Sequence, residues 1–262
     1  MTELDESLAL EPAGPGTWTA HADPRRQAMT GMYGGWTAAV LLKSVLSEAD
    51  ASGTPSALTV HFIAPVAPGS DVSIRTRRVG GGRSLAFWQA ELAVPGRESP
   101  TAIATVVLAR RKESGGFTDL AMPGAAEPDS LDTFHPPGPF GQRSLARPVA
   151  GHPPFNQAAT QSIAWVRETS ARSLDYVLLA YLADNYAPRS WFKGPEPGPY
   201  ATITMSVYFH ASPAELGALG DDYILIEATG SRAESSTVGA HARLWSRDGV
   251  LLATTEQLGW FR

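Results

Sequence analysis

From Gly35 to Ala49 the chain reads GWTAAVLLKSVLSEA, apolar on nearly every side apart from Lys43, Ser44 and the last turn. That pattern predicts a helix enclosed by other elements, because a helix lying on a surface would keep one polar face. Strand-like runs follow it at Leu58 to Ile63, Val72 to Arg78, Leu85 to Val94 and Ala102 to Arg110, with turn signals such as Ala67-Pro68-Gly69 and Gly80-Gly81-Gly82 between them. The order then recurs, with a helix at about Leu174 to Tyr186 and strands near 201–210, 222–229, 238–246 and 250–259. One helix before several antiparallel strands, twice over, predicts a duplicated unit. Within 201–210 the alternation is strict. Ile203, Met205, Val207 and Phe209 are expected on a core face, and Thr202, Thr204, Ser206, Tyr208 and His210 on a polar one. The fold class that results is α+β, two tandem repeats in each of which a curved antiparallel sheet wraps one helix.

Between the repeats, residues 112–160 hold eight of the 21 prolines and lose apolar periodicity. The stretch predicts an inter-domain connection in preference to a mobile lid, because its composition buries too little apolar surface to order itself. The expected division is an N-terminal repeat over 1–112, a Pro/Gly-rich linker over 113–160 and a C-terminal repeat over 161–262.

Composition narrows the chemistry. The 262 residues include no cysteine, which removes a thiol nucleophile, a cysteine-bearing zinc site and a disulfide framework. A net charge of −5 argues against a nucleic-acid partner, which needs a concentrated basic face. The N-terminal 20 residues lack a signal-peptide pattern, and no run approaches the ~20 apolar residues of a membrane span. A cytoplasmic location with no membrane partner is the expectation. Gly-x-Ser-x-Gly, His-Glu-x-x-His and a phosphate-loop Gly-x-x-x-x-Gly-Lys are all missing. Gly80-Gly81-Gly82 sits between two strands and reads as a hairpin turn, not as a dinucleotide-binding loop. The six histidines show no metal-ligand spacing, so neither a metal nor a cofactor is expected, and His61 and His210 read as structural strand residues.

Three polar residues in the second half do not follow from the local pattern. Asp184 falls at the edge of the helix stripe Leu174, Val177, Leu178, Tyr181 and Leu182, where a carboxylate is partly buried and must find hydrogen bonds or titrate upward. Thr202 opens the polar face of the 201–210 strand, and Gln257 lies in the last strand.

Taken in order, these segments resemble the acyl-CoA thioesterase II family, whose fold is a double hot dog. The resemblance rests on Tyr181-Leu182-Ala183-Asp184, on Ala201-Thr202-Ile203 with Ser206-Val207-Tyr208-Phe209-His210, and on Asp248-Gly249-Val250 through Gln257 to Gly259. Tyr33-Gly34-Gly35 and Phe62-Ile63-Ala64-Pro65 with Gly69 extend it to the first half. It implies hydrolysis of a fatty acyl-CoA by water held between Asp184, Thr202 and Gln257. Asp184 would be the base or water-orienter. Backbone N–H groups at Gly34 and Gly35 would be candidates to polarise the thioester carbonyl. Two departures stand out. Trp36 replaces a frequent glutamine and is expected to narrow or reshape the acyl pocket, and Thr204-Met205 replaces Asp-His. The resemblance also leaves room for pairing of double units into a homo-oligomer. Two other readings compete. One is a hot dog hydratase or dehydratase, for which the nearest Asp and His are Asp129 or Asp132 with His135. The other is a non-catalytic acyl-CoA binding protein.

Overall fold

A computed structural model describes all residues, Met1–Arg262. The first repeat comprises a short helix α1 (Glu3–Ser7), strands β1 (Glu11–Gly14) and β2 (Thr17–His21), and helix α2 (Gly34–Leu46). It continues through β3 (Thr54–Phe62), β4 (Asp71–Gly81), β5 (Leu85–Ala93) and β6 (Ala102–Ala109). The second comprises β7 (Ser144–Ala150), β8 (Ser162–Glu168), α3 (Tyr176–Leu182), β9 (Tyr200–Phe209), a short α4 (Pro213–Ala218), β10 (Ile224–Glu234), β11 (Thr237–Trp245) and β12 (Leu251–Phe261). Short 3-10 turns at Pro24–Arg26, Pro128–Ser130, Pro139–Arg143 and Arg189–Lys193 complete the regular structure.

All twelve strands join one antiparallel sheet in the order β1-β2-β4-β5-β6-β3-β9-β12-β11-β10-β8-β7. Read outward from the central β3–β9 pair, the halves are identical in connectivity: β3-β6-β5-β4-β2-β1 on one side, β9-β12-β11-β10-β8-β7 on the other. In each, the helix is followed by a strand that pairs with the last strand of its repeat. This is the double hot dog. Helix α2 has ten of its thirteen residues buried, in keeping with its nearly all-round apolar pattern. It packs beside α3, where Tyr33 Oη donates to the Tyr181 carbonyl at 3.0 Å. Both helices sit in one main core with the inward residues of the sheet.

The stretch 113–160 departs from the expectation of a bare connection. It supplies β7, the topological equivalent of β1, so the second repeat begins no later than Ser144, not at 161. Pro148 is tolerated there because β7 is the edge strand of the sheet, its outer side bridged only at Ala146 by Phe134, and the ladder to β8 shifts register between Pro148 and Ala150. The segment before it orders itself on a surface already built. Met122, Ala125 and Leu131 cover a small outer cluster of Trp165, Tyr223, Leu225 and Trp245. Trp165 Nε1 donates to the Ala126 carbonyl at 2.8 Å, and Arg147 Nη1 to those of Pro128 and Leu131 at 2.9 and 2.6 Å. Composition alone measures what a segment buries in itself, not what it covers.

Helix α3 is also shorter than the apolar pattern suggests. Asp175 caps its start, the side chain accepting from Leu178 N at 2.8 Å. The helix ends at Leu182 with Ala183 as its C-cap, so Asp184 lies beyond the helix instead of on its face. Downstream, Asn185 Nδ2 donates to Ser144 Oγ and draws the chain toward β7.

Candidate active site

A cavity of about 700 Å³ lies between the repeats. Its wall takes Tyr33, Gly34 and Thr37 from the start of α2, Phe62 from the end of β3, and Asp184 to Pro188 from the chain after α3. Thr202 of β9 and Gln257 of β12 line it as well.

Asp184 is half-buried in this wall. Gln257 Nε2 donates to its Oδ1 at 2.7 Å, and the Gly35 backbone N–H donates to the carboxylate too. Burial nevertheless dominates. It pushes the carboxyl up to about 7, and the two hydrogen bonds only partly offset it. A carboxylate of that affinity exchanges protons near neutrality, which is what a general base or acid requires.

Gln257 is buried, and β12 pairs with β9 so that Gln257 stands opposite Met205. Met205 Sδ lies 3.4 Å from Gln257 Nε2, so this departure from the family pattern places a soft apolar neighbour beside the amide. Thr202 reaches the cavity by a route the alternation does not show. The β9–β12 ladder pairs Thr204 with Leu258 but Thr202 with Gly259, leaving Ile203 as an extra, bulged residue. The bulge reverses the phase of the strand. Ile203, expected in the core, is 37% exposed, whereas Thr202, expected on the polar face, lines the cavity. Met205, Val207 and Phe209 keep the core face.

The two glycines have different roles. A Cβ on Gly34 would stand 2.6 Å from Asp184 Oδ2, and one on Gly35 would stand 2.2 Å from the Tyr181 carbonyl oxygen. Gly35 therefore lets α2 approach α3, and its amide is engaged by Asp184. Of the pair, Gly34 faces the cavity. Trp36 does not reshape the pocket, contrary to expectation. It is fully buried on the other side of the helix, where its Nε1 donates to the Ser7 carbonyl at 2.9 Å and ties down α1.

Tyr200 is a residue that spacing did not single out. Its hydroxyl hydrogen-bonds the Thr202 side chain, and burial raises it to about 12, so it stays a neutral O–H throughout the neutral range. The ring lies on the bare backbone of Gly259, where a Cβ would be 2.3 Å from Tyr200 Oη. A glycine in a strand interior marks such a close approach, and that was the available signal. His61 and His210 stand outside the cavity, and His210 Nε2 pairs with Thr254 Oγ1 at 3.0 Å. His135 lines the cavity, with Nδ1 3.0 Å from the Gly141 carbonyl oxygen.

The C-terminal domain model of acyl-CoA thioesterases matches residues 120–261, and the N-terminal domain model matches residues 21–109. The chain belongs to the acyl-CoA thioesterase family. As a member it is a thioester hydrolase. A conserved hot dog protein of unknown function from Alicyclobacillus acidocaldarius is 30% identical, with a TM-score of 0.95 over 100% of this chain and 98% of that one. An acyl-CoA thioesterase II from Mycobacterium marinum superposes with a TM-score of 0.78 at 20% identity, covering 99% of this thioesterase and 98% of the other. The TesB protein of Mycobacterium avium subs paratuberculosis gives a TM-score of 0.78 at 19% identity, over 98% and 97% of the two chains. No curated protein matches the sequence. No helix of this thioesterase is long and apolar enough to cross a membrane.

Proposed function

We propose that the protein hydrolyses an acyl-CoA thioester to the free acid and CoA by direct attack of water, with Asp184 as the base. The observation that carries this reading is the half-buried carboxylate, held by Gln257 and the Gly35 amide at the wall of a cavity that Thr202 also lines. Water gives a proton to Asp184 as its oxygen bonds to the thioester carbonyl carbon. The carbonyl oxygen becomes an oxyanion, for which the Gly34 amide at the first turn of α2 is the donor, while the Thr202 hydroxyl and the Gln257 amide position the attacking water. Collapse of the tetrahedral species breaks the C–S bond, and the proton held by Asp184 passes to the departing thiolate. A hydratase would need a histidine beside the acid, whereas the partners of Asp184 are an amide side chain and a backbone N–H.

Asp184 must be ionised to act, so kcat/KM is expected to rise about tenfold per pH unit below pH ~7 and to level off above it. A single turnover in ¹⁸O-labelled water should place the label in the released acid. Label recovered in Asp184 instead would identify an anhydride intermediate and overturn direct attack.

Thr202→Val and Gln257→Ala are each expected to lower kcat by about 10² to 10³, with limited change in KM. Groups that hold one water act as a unit, so the double variant should lose much less than the product of the two losses. Full multiplicativity would show that the two do not share a water.

A further inference from the structure

The cavity wall differs in kind from the core around it. Leucines fill the core, Leu41, Leu42, Leu178 and Leu179 among them, yet no leucine lines the cavity. Nine of its 44 lining residues are Phe, Tyr or Trp, against 9% aromatic residues in the whole chain, and eight more are proline. Rings come from both repeats and from the segment between them, as Phe62, Phe134, Phe140, Phe155, Trp191 and Phe192 illustrate. Several are already fixed in pairs. Tyr33 stacks on Phe140 with centroids 4.4 Å apart, and Phe155 on Trp191 at 6.2 Å. Trp191 Nε1 is anchored to the Gly198 carbonyl at 2.9 Å.

Such a wall has little conformational freedom. A proline has φ fixed and a phenyl ring has two χ angles, whereas a methionine has three and moulds to a flexible alkyl chain, and only two methionines, Met29 and Met32, line the cavity. Flat, preformed faces favour a flat ligand, which stacks without losing rotamers of its own. Charge adds a second restriction. No Lys or Arg lines the cavity, its one carboxylate is Asp184, and burial lowers the proton affinity of His152 in the wall, so an acyl group ending in a carboxylate would be desolvated without a permanent cation beside it.

We propose that this site selects uncharged, ring-bearing acyl groups, aryl or arylalkyl, over straight chains of the same carbon number. The proposal rests on the thioesterase reading above and specifies its substrate class.

Phenylacetyl-CoA and octanoyl-CoA both carry eight acyl carbons, and glutaryl-CoA carries a terminal carboxylate. Thiol release should give a kcat/KM for phenylacetyl-CoA about tenfold above octanoyl-CoA, the worth of one or two ring–ring contacts, and glutaryl-CoA should be poorest. Phe134→Leu and Phe155→Leu keep much of the apolar volume and remove a ring. Each is expected to erode the preference several-fold by lowering the phenylacetyl value more than the octanoyl value, and an equal loss on both substrates would count against ring selection. Calorimetric binding of the same three thioesters to Asp184→Asn reads the pocket without the chemistry and should reproduce the order. Octanoyl-CoA turned over and bound as well as phenylacetyl-CoA, with Asp184→Asn inactive, would overturn the substrate class and leave the hydrolytic mechanism standing. Wild-type rates in Asp184→Asn would overturn the mechanism, and the binding order would then decide the substrate class separately.

Discussion

Asp184→Asn is expected to lower kcat for acyl-CoA hydrolysis by about 10² to 10⁴, the usual worth of a positioned base. The amide keeps the size of the carboxylate and can still accept from the Gly35 N–H, but it cannot take a proton from water. The same substitution should not weaken the fold, and above neutrality it should strengthen it. Because the carboxyl rises from 3.8 in the unfolded reference to about 7, the folded protein holds this proton more tightly than the unfolded chain does. Ionising Asp184 therefore costs folding free energy. The cost is absent at a pH below both values, grows between 3.8 and about 7, and stays constant above that. At about 1.4 kcal/mol per pKa unit its ceiling is roughly 4 kcal/mol, less whatever water in the cavity screens. Melting curves of both proteins across pH 4 to 9 should therefore converge at the acid end and separate in favour of the variant at the alkaline end. A folded variant that hydrolyses at the wild-type rate would remove Asp184 from the mechanism. A variant less stable at pH 8 would show that the carboxylate is held by more favourable contacts than its two donors.

The largest loss of stability is expected from Glu168→Ala. Glu168, the last residue of β8, and Arg26 form an ion pair at 2.8 Å in which both side chains are shut off from solvent. Arg26 Nη1 also donates to Tyr181 Oη at 3.3 Å, and Nη2 reaches Glu3 of α1 at 3.3 Å. The pair thus links the first repeat to β8 and α3, a few residues from Asp184. Removing the acid leaves a buried guanidinium whose Nε already has no partner, and breaking such a pair costs about 3 to 5 kcal/mol. For a chain of this length that corresponds to a fall in Tm of roughly 10 °C. Arg26→Met combined with Glu168→Leu should recover much of the loss, because two apolar groups need no partners. A single variant melting within about 2 °C of wild type would mean that water or Glu3 already satisfies Arg26.

Much of this protein is legible from local pattern. The apolar circumference of α2, the four strands after each helix and their duplication follow from periods of 3.6 and 2, which each segment expresses through its own residues. The chain order of Asp184, Thr202 and Gln257 is likewise visible, because the family resemblance lies in short contiguous segments. What only the tertiary structure decides depends on residues far apart in the chain. Ile203 and Thr202 exchange faces because β12 imposes a bulge on β9, a property of the pairing that neither strand reveals alone. The 113–160 stretch becomes an edge strand and a cavity wall because other elements offer it a ladder and an apolar face. Trp36 turns toward α1 because the Ser7 carbonyl is there to accept its N–H. The proton affinity of Asp184 comes from burial between two repeats, set against one amide from β12 and one backbone N–H from α2. A sequence records which groups are present, whereas burial and the pairing of distant groups exist only once the chain has folded around them.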